Sequence, residues 1–117
     1  MNPLRRLFAK LGLEEPSERP GSGVTGDPAR AVVTYYHGSI KPGMRQRWFT
    51  KYVDLRLTDD PEDGPTTRVQ VYLERRPHAL MRLGVEVPVW LKPGTRTIIG
   101  IDADRFEAEA AANDPDA

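Results

Sequence analysis

Apolar and polar residues alternate along most of this chain, and the alternation predicts five strands. In residues 48–58, WFTKYVDLRLT, Phe49, Lys51, Val53, Leu55 and Leu57 share one face, and Trp48, Thr50, Tyr52, Asp54 and Arg56 share the other. In residues 67–74, TRVQVYLE, Val69, Val71 and Leu73 lie opposite Arg68, Gln70 and Tyr72. Residues 85–91, VEVPVWL, turn Val85, Val87, Val89 and Leu91 inward and Glu86, Pro88 and Trp90 outward. Residues 29–36, ARAVVTYY, are β-branched and aromatic, and residues 96–101, RTIIGI, add a fifth strand. A period of two with one apolar face is the mark of half-buried antiparallel strands. Pro88 has no ladder donor, so its strand is expected at an edge or a bulge.

Two segments keep a helical period instead. Leu4, Leu7, Phe8 and Leu11 recur at i, i+3, i+4 and i+7, between Asn2-Pro3 and Gly12, which predicts a short amphipathic helix. A helix this short is marginal alone, so the stripe is read as a contact for the protein's own β-domain, a partner or a membrane surface. The alanine- and glutamate-rich tail from Asp104 is read as helical, then disordered and acidic. Residues 14–28 carry linker chemistry, and a helical turn is expected within residues 77–84. The turn at Lys92-Pro93-Gly94-Thr95 suits type II.

The expected organisation is therefore a helix over 1–13, a linker over 14–28, a β-domain over 29–103 and a tail over 104–117. The fold class is mainly β: a five-stranded antiparallel small barrel or half-barrel. A short helix between the third and fourth strands is the order of an OB-fold, with an SH3-like barrel or an open sheet as alternatives.

Composition narrows the chemistry. The chain has no cysteine, which excludes disulfides, thiolate metal sites and cysteine nucleophiles. Neither a secretory signal nor an apolar run of about 20 residues is present, so a cytoplasmic protein without a transmembrane segment is expected. Net charge is zero, but residues 30–56 are basic apart from Asp54, and the end of the chain is acidic. Gly21-Ser22-Gly23-Val24-Thr25-Gly26 matches GxGxxG, yet a linker precedes it and a strand follows, so phosphate binding is not expected. Ser39 and His37 share a loop without a carboxylate to orient them, and Asp59, Asp60, Glu62 and Asp63 lack calcium-loop spacing. No catalytic residue, metal site or cofactor is expected.

The most informative set mixes rings and cations. Arg45, Arg47, Trp48, Lys51 and Tyr52 interleave, and Tyr52, Arg56, Arg68 and Tyr72 share the face opposite the aliphatic one. On an OB-like barrel, outward rings stack on bases and arginines meet phosphates. The competing reading packs Tyr52, Tyr72 and Trp90 beneath a terminal helix. The chain is thus read as a non-enzymatic binding or adaptor module with a protein partner. Single-stranded nucleic-acid binding and peripheral membrane association are the alternatives.

The stretches GDPARAVV (26–33), VDLRL (53–57) and EVPVWLKPGTRTIIGID (86–102) resemble small β-domains of actinobacteria, in which a valine-rich strand precedes a V-P-V-x-L-x-P-G turn. The excess of arginine over lysine fits such a source. The resemblance implies a fold rather than an activity. Relatives of that kind often sit beside membrane segments.

Overall fold

Strand β2 (Phe49–Leu57) expresses the alternation directly: Phe49, Lys51, Val53, Leu55 and Leu57 are buried, and the residues between them are exposed or half-buried. The computed structural model describes residues 18–21, 23–41 and 43–113. The apolar stripe Leu4, Leu7, Phe8 and Leu11 lies outside the described residues, as does the tip of the acidic tail. Around β2 stand β1 (Asp27–His37), β3 (Thr67–Leu73), β4 (Glu86–Leu91) and β5 (Ile98–Ile101). They form one antiparallel sheet in the order β3-β2-β1-β4-β5. The sheet curls until β3 and β5 lie side by side, nearly closing a barrel.

Two helices complete the fold. Helix α1 (Arg75–Leu80) joins β3 to β4, and α2 (Ala103–Asn113) follows β5. Asp102 caps α2 by accepting the Arg105 backbone N–H at 3.2 Å. Phe106 then carries the helix into the core, which is built from Val33, Val53, Leu55, Leu73, Val87 and Val89. Just after α1, Met81 is fully buried and joins the same core. The turn after β4 takes the expected form, with Gly94 at φ 74° and the Thr95 N–H bonded to the Lys92 carbonyl.

Three local outcomes differ from the alternation pattern. Strand β1 starts at Asp27, so the last two residues of the expected linker are already paired, with Leu91 and Trp90. Pro88 is buried in β4, which lies between β1 and β5 rather than at an edge. Its missing donor is tolerated because the Arg30 carbonyl faces β2, where it accepts from Thr58, while the Pro88 carbonyl accepts from Asp102. The ladder groups of Pro88 thus point past the last residue of β5, where no strand partner waits.

The third difference is a bulge in β1. Val33 pairs with Leu55 but Tyr35 pairs with Asp54, so Thr34 is the extra residue, and its hydroxyl donates to the Asp54 carbonyl. One inserted residue reverses the parity of everything after it. Tyr35, which strict alternation from Val33 would turn inward, lands on the outer face.

Candidate functional site

The register of β1, β2 and β3 arranges the outer face into cross-strand rows. Tyr35, Asp54 and Arg68 form one row; His37, Tyr52 and Gln70 form the next; Thr50 and Tyr72 form the third. Tyr35 is 49% exposed and Tyr52 42%, unusually open for large rings. Tyr52 is therefore not packed beneath a described helix, whereas Tyr72 is half-buried. Arg68 reaches across the first row, donating to both carboxylate oxygens of Asp54 at 2.8 and 3.2 Å. Its guanidinium also lies over the Tyr35 ring at 5.5 Å. In the third row, the Tyr72 hydroxyl accepts from the Gln70 amide at 3.2 Å.

The third row leads to the end of the barrel that carries the β1–β2 loop and α1. Here Trp48 lies between two guanidinium groups, Arg19 at 4.5 Å and Arg47 at 4.6 Å from its ring centre. Arg19, only 9% exposed, also donates to the Tyr72 carbonyl, to Glu107 at 2.7 Å and to Asp104 at 3.0 Å. It ties the segment before β1 to β3 and α2 at once. Arg75 donates to the Met44 carbonyl at 2.6 Å, and Arg45 is exposed in the same loop. Cations outnumber anions at this end: Lys41, Arg45, Arg47, Arg75, Arg76 and Arg82 lie on the β1–β2 loop, on α1 or just after it, against Glu74 and the Asp104 and Glu107 that pair with Arg19. The acidic β2–β3 loop sits at the opposite end, where Arg96 bridges Asp59 and Asp60.

Of the residues expected to share a site, Tyr52, Arg68 and Tyr72 do so, with Trp48, Arg47 and Arg45 beside them. Arg56 does not. It sits opposite Val32, and its guanidinium donates to the Glu62 carbonyl of the β2–β3 loop. Tyr35, His37, Gln70 and Arg19 belong to the site but were not in that set. His37 and Gln70 follow from the register, and Tyr35 from the bulge. Arg19 lay in a stretch read as linker, where nothing local marks its contacts.

Beneath the face, Lys51 is buried, only 3% exposed. Its ammonium donates to the His78 carbonyl at 2.6 Å and lies 4.7 Å from the centre of the Tyr36 ring. Burial pushes its pKa below the ordinary lysine value, with the Arg82 charge adding to the effect. The buried His78 ring donates from Nε2 to the Thr50 carbonyl at 2.9 Å. Burial lowers its pKa, the Thr50 bond opposes that, and the Lys51 charge reinforces it. Gly38 closes against this group: a Cβ there would meet the Thr50 carbonyl oxygen at 2.8 Å and His78 Nε2 at 3.3 Å.

A folded-state pKa below the unfolded one means that the unfolded chain binds the proton first. His78 therefore contributes stability that is present above the unfolded value of about pH 6.5 and is lost as pH falls from there through the lower folded value. Lys51 acts in the same direction at alkaline pH, its charge penalty easing as pH rises towards the ordinary lysine value. Urea unfolding between pH 7 and 5 should show stability falling, by at most about 1.4 kcal/mol per pH unit for this one proton. His78→Gln keeps an N–H donor for Thr50 and should flatten the slope. An unchanged slope would place the titration elsewhere.

Among the described residues no group of three potential metal ligands comes together, and no helix is long and apolar enough to cross a membrane. The glycine-rich stretch leads into β1, with Gly26 packed on the Leu91 carbonyl, and the start of α2 that borders the same cleft as Gly21, Gly23 and Thr25 is acidic, with Asp102 and Asp104. Comparisons with family models, curated proteins and solved structures find no match to this chain. The candidate site rests on its own geometry.

Proposed function

We propose that this protein is a non-enzymatic module that binds single-stranded nucleic acid on the outer face of an OB-type barrel. Strand order β3-β2-β1-β4-β5, with β3 beside β5 and a helix between β3 and β4, supports the OB reading over an SH3-like barrel. The observation that carries the function is the outer face of β1–β3. Two tyrosines stand open to solvent and a third is half-buried beside them, next to a basic barrel end. Open rings on a rigid sheet are costly to leave in water and give π-faces to unpaired bases. Guanidinium groups at one end offer contacts to phosphates without making the whole protein basic. A protein partner would meet the same face, but the pairing of separated rings with a cationic end fits a polyanion that carries flat bases.

The test is the dissociation constant of a labelled eight-nucleotide oligothymidylate, measured by anisotropy across salt concentrations. Engagement of about three phosphates gives a log–log slope near −2 for a single strand, or ~20-fold weaker binding from 50 to 200 mM salt. Tight binding indifferent to salt would argue for a different ligand. No binding at 50 mM would remove nucleic acid from consideration and leave a protein partner to be sought.

A further inference from the structure

Resting on the single-strand reading, we infer that Tyr35, Tyr52 and Tyr72 form a diagonal ladder. It holds three consecutive bases of an extended strand, one base to each ring. The register carries the inference. Tyr52 pairs directly with His37, so Tyr35, two residues earlier, is its diagonal neighbour on β1. Tyr52 also pairs with Gln70, so Tyr72, two residues later, is its diagonal neighbour on β3. Both diagonals step one strand across and one row towards the β1–β2 loop. The three positions therefore fall on one line.

Diagonal neighbours in an antiparallel pair stand about 7–8 Å apart. Bases stacked within a helix rise only about 3.4 Å per nucleotide in each strand. A ladder with twice that spacing cannot take stacked bases one to a ring, and a duplex cannot spread its pairs to match it. An unstacked single strand can. The line also sets a path: it begins at Tyr35 under the Arg68 guanidinium and ends at Tyr72, on the side of the Trp48 stack and the basic loop. The Thr34 bulge is the device that completes the ladder, because without it Tyr35 would face the core. The Asp54–Arg68 pair and the Gln70–Tyr72 hydrogen bond brace the two outer rings from β2 and β3.

The ladder predicts a footprint of three nucleotides. NMR titrations of the full chain at low salt with thymidylates of two, three, four and six nucleotides give the affinity for each length. Adding the third nucleotide should strengthen binding roughly tenfold, the scale of one base–aromatic stack. Each further nucleotide should add less than about threefold, from an extra phosphate and an extra register. Tyr35→Leu, Tyr52→Leu and Tyr72→Leu should each weaken the trinucleotide about tenfold, while the Phe variants stay within about twofold because the ring remains. A hairpin duplex should not displace the trinucleotide. Equal gains at every length up to six, or loss of affinity at only one tyrosine with unchanged spectra elsewhere, would overturn the ladder while leaving single-strand binding intact. Absence of binding at every length would remove both.

Discussion

Leu55→Ala is expected to lower the unfolding free energy by about 3 kcal/mol, within the range of 2–5 kcal/mol for buried leucines. Leu55 is fully buried in the middle of β2 and pairs with Val33 on one side and Thr67 on the other. Its side chain points into the interior shared by Val53, Leu73, Val87 and Val89. Close-packed neighbours on a hydrogen-bonded sheet cannot collapse far into the space it leaves, so the cavity term adds to the lost transfer energy. Urea unfolding should show a lower midpoint with an unchanged slope, because the surface exposed on unfolding is nearly the same. A loss below about 1 kcal/mol would mean that the barrel interior is loosely filled at its centre. Arg68→Ala, on the opposite face of the same sheet, should leave the urea midpoint nearly unchanged, since its pair with Asp54 is solvent-exposed.

Arg19→Ala is expected to cost about 2–3 kcal/mol, far more than its place in a proline- and glycine-rich segment would imply. The guanidinium is largely buried, and Glu107, its closest acidic partner, is 18% exposed. Removing the cation takes away the hydrogen bond at 2.7 Å and leaves that carboxylate the Glu74 backbone N–H at 3.2 Å. Stranding a half-desolvated charge is the expensive half of breaking such a pair. The Asp104 contact adds little, because that carboxylate is 91% exposed. The Trp48 ring loses a cationic neighbour, worth roughly 0.5–1 kcal/mol. Amide exchange should therefore speed up first in α2 and at the end of β3, ahead of the remaining sheet. Arg19→Lys should recover only part of the loss, since one ammonium cannot serve these acceptors in a planar fork. Arg105→Ala, which removes an exposed pair with Glu109 on the same helix, should change stability by less than about 0.5 kcal/mol. Uniform exchange along the chain in Arg19→Ala would show that the segment is not an anchor.

Much of the fold was legible from residue order. Parity assigned the inner and outer faces of β2 and β3 correctly, including Lys51 on the aliphatic side. It did so because each strand buries one face and a period of two leaves no freedom. The same parity brings Tyr52, Arg68 and Tyr72 to one surface. Trp48, Arg45 and Arg47 ended beside them because the β1–β2 loop leads straight into β2.

What residue order left undetermined depended on partners distant in the chain. The bulge at Thr34 is invisible in ARAVVTYY, because a run of β-branched and aromatic residues pairs equally well in either parity. Only the register against β2 turns Tyr35 outward. Arg19 reads as linker because its partners, Tyr72, Glu107 and Asp104, lie 53 to 88 residues away. Arg56 shares its parity with Tyr52 but not its neighbourhood, and the β2–β3 loop takes its guanidinium. Alternation by itself determined that this chain builds five half-buried strands and which side chains β2 and β3 turn to water. Tertiary structure decided which outward side chains meet, because that depends on register and closure, and both are set by contacts between strands rather than within them.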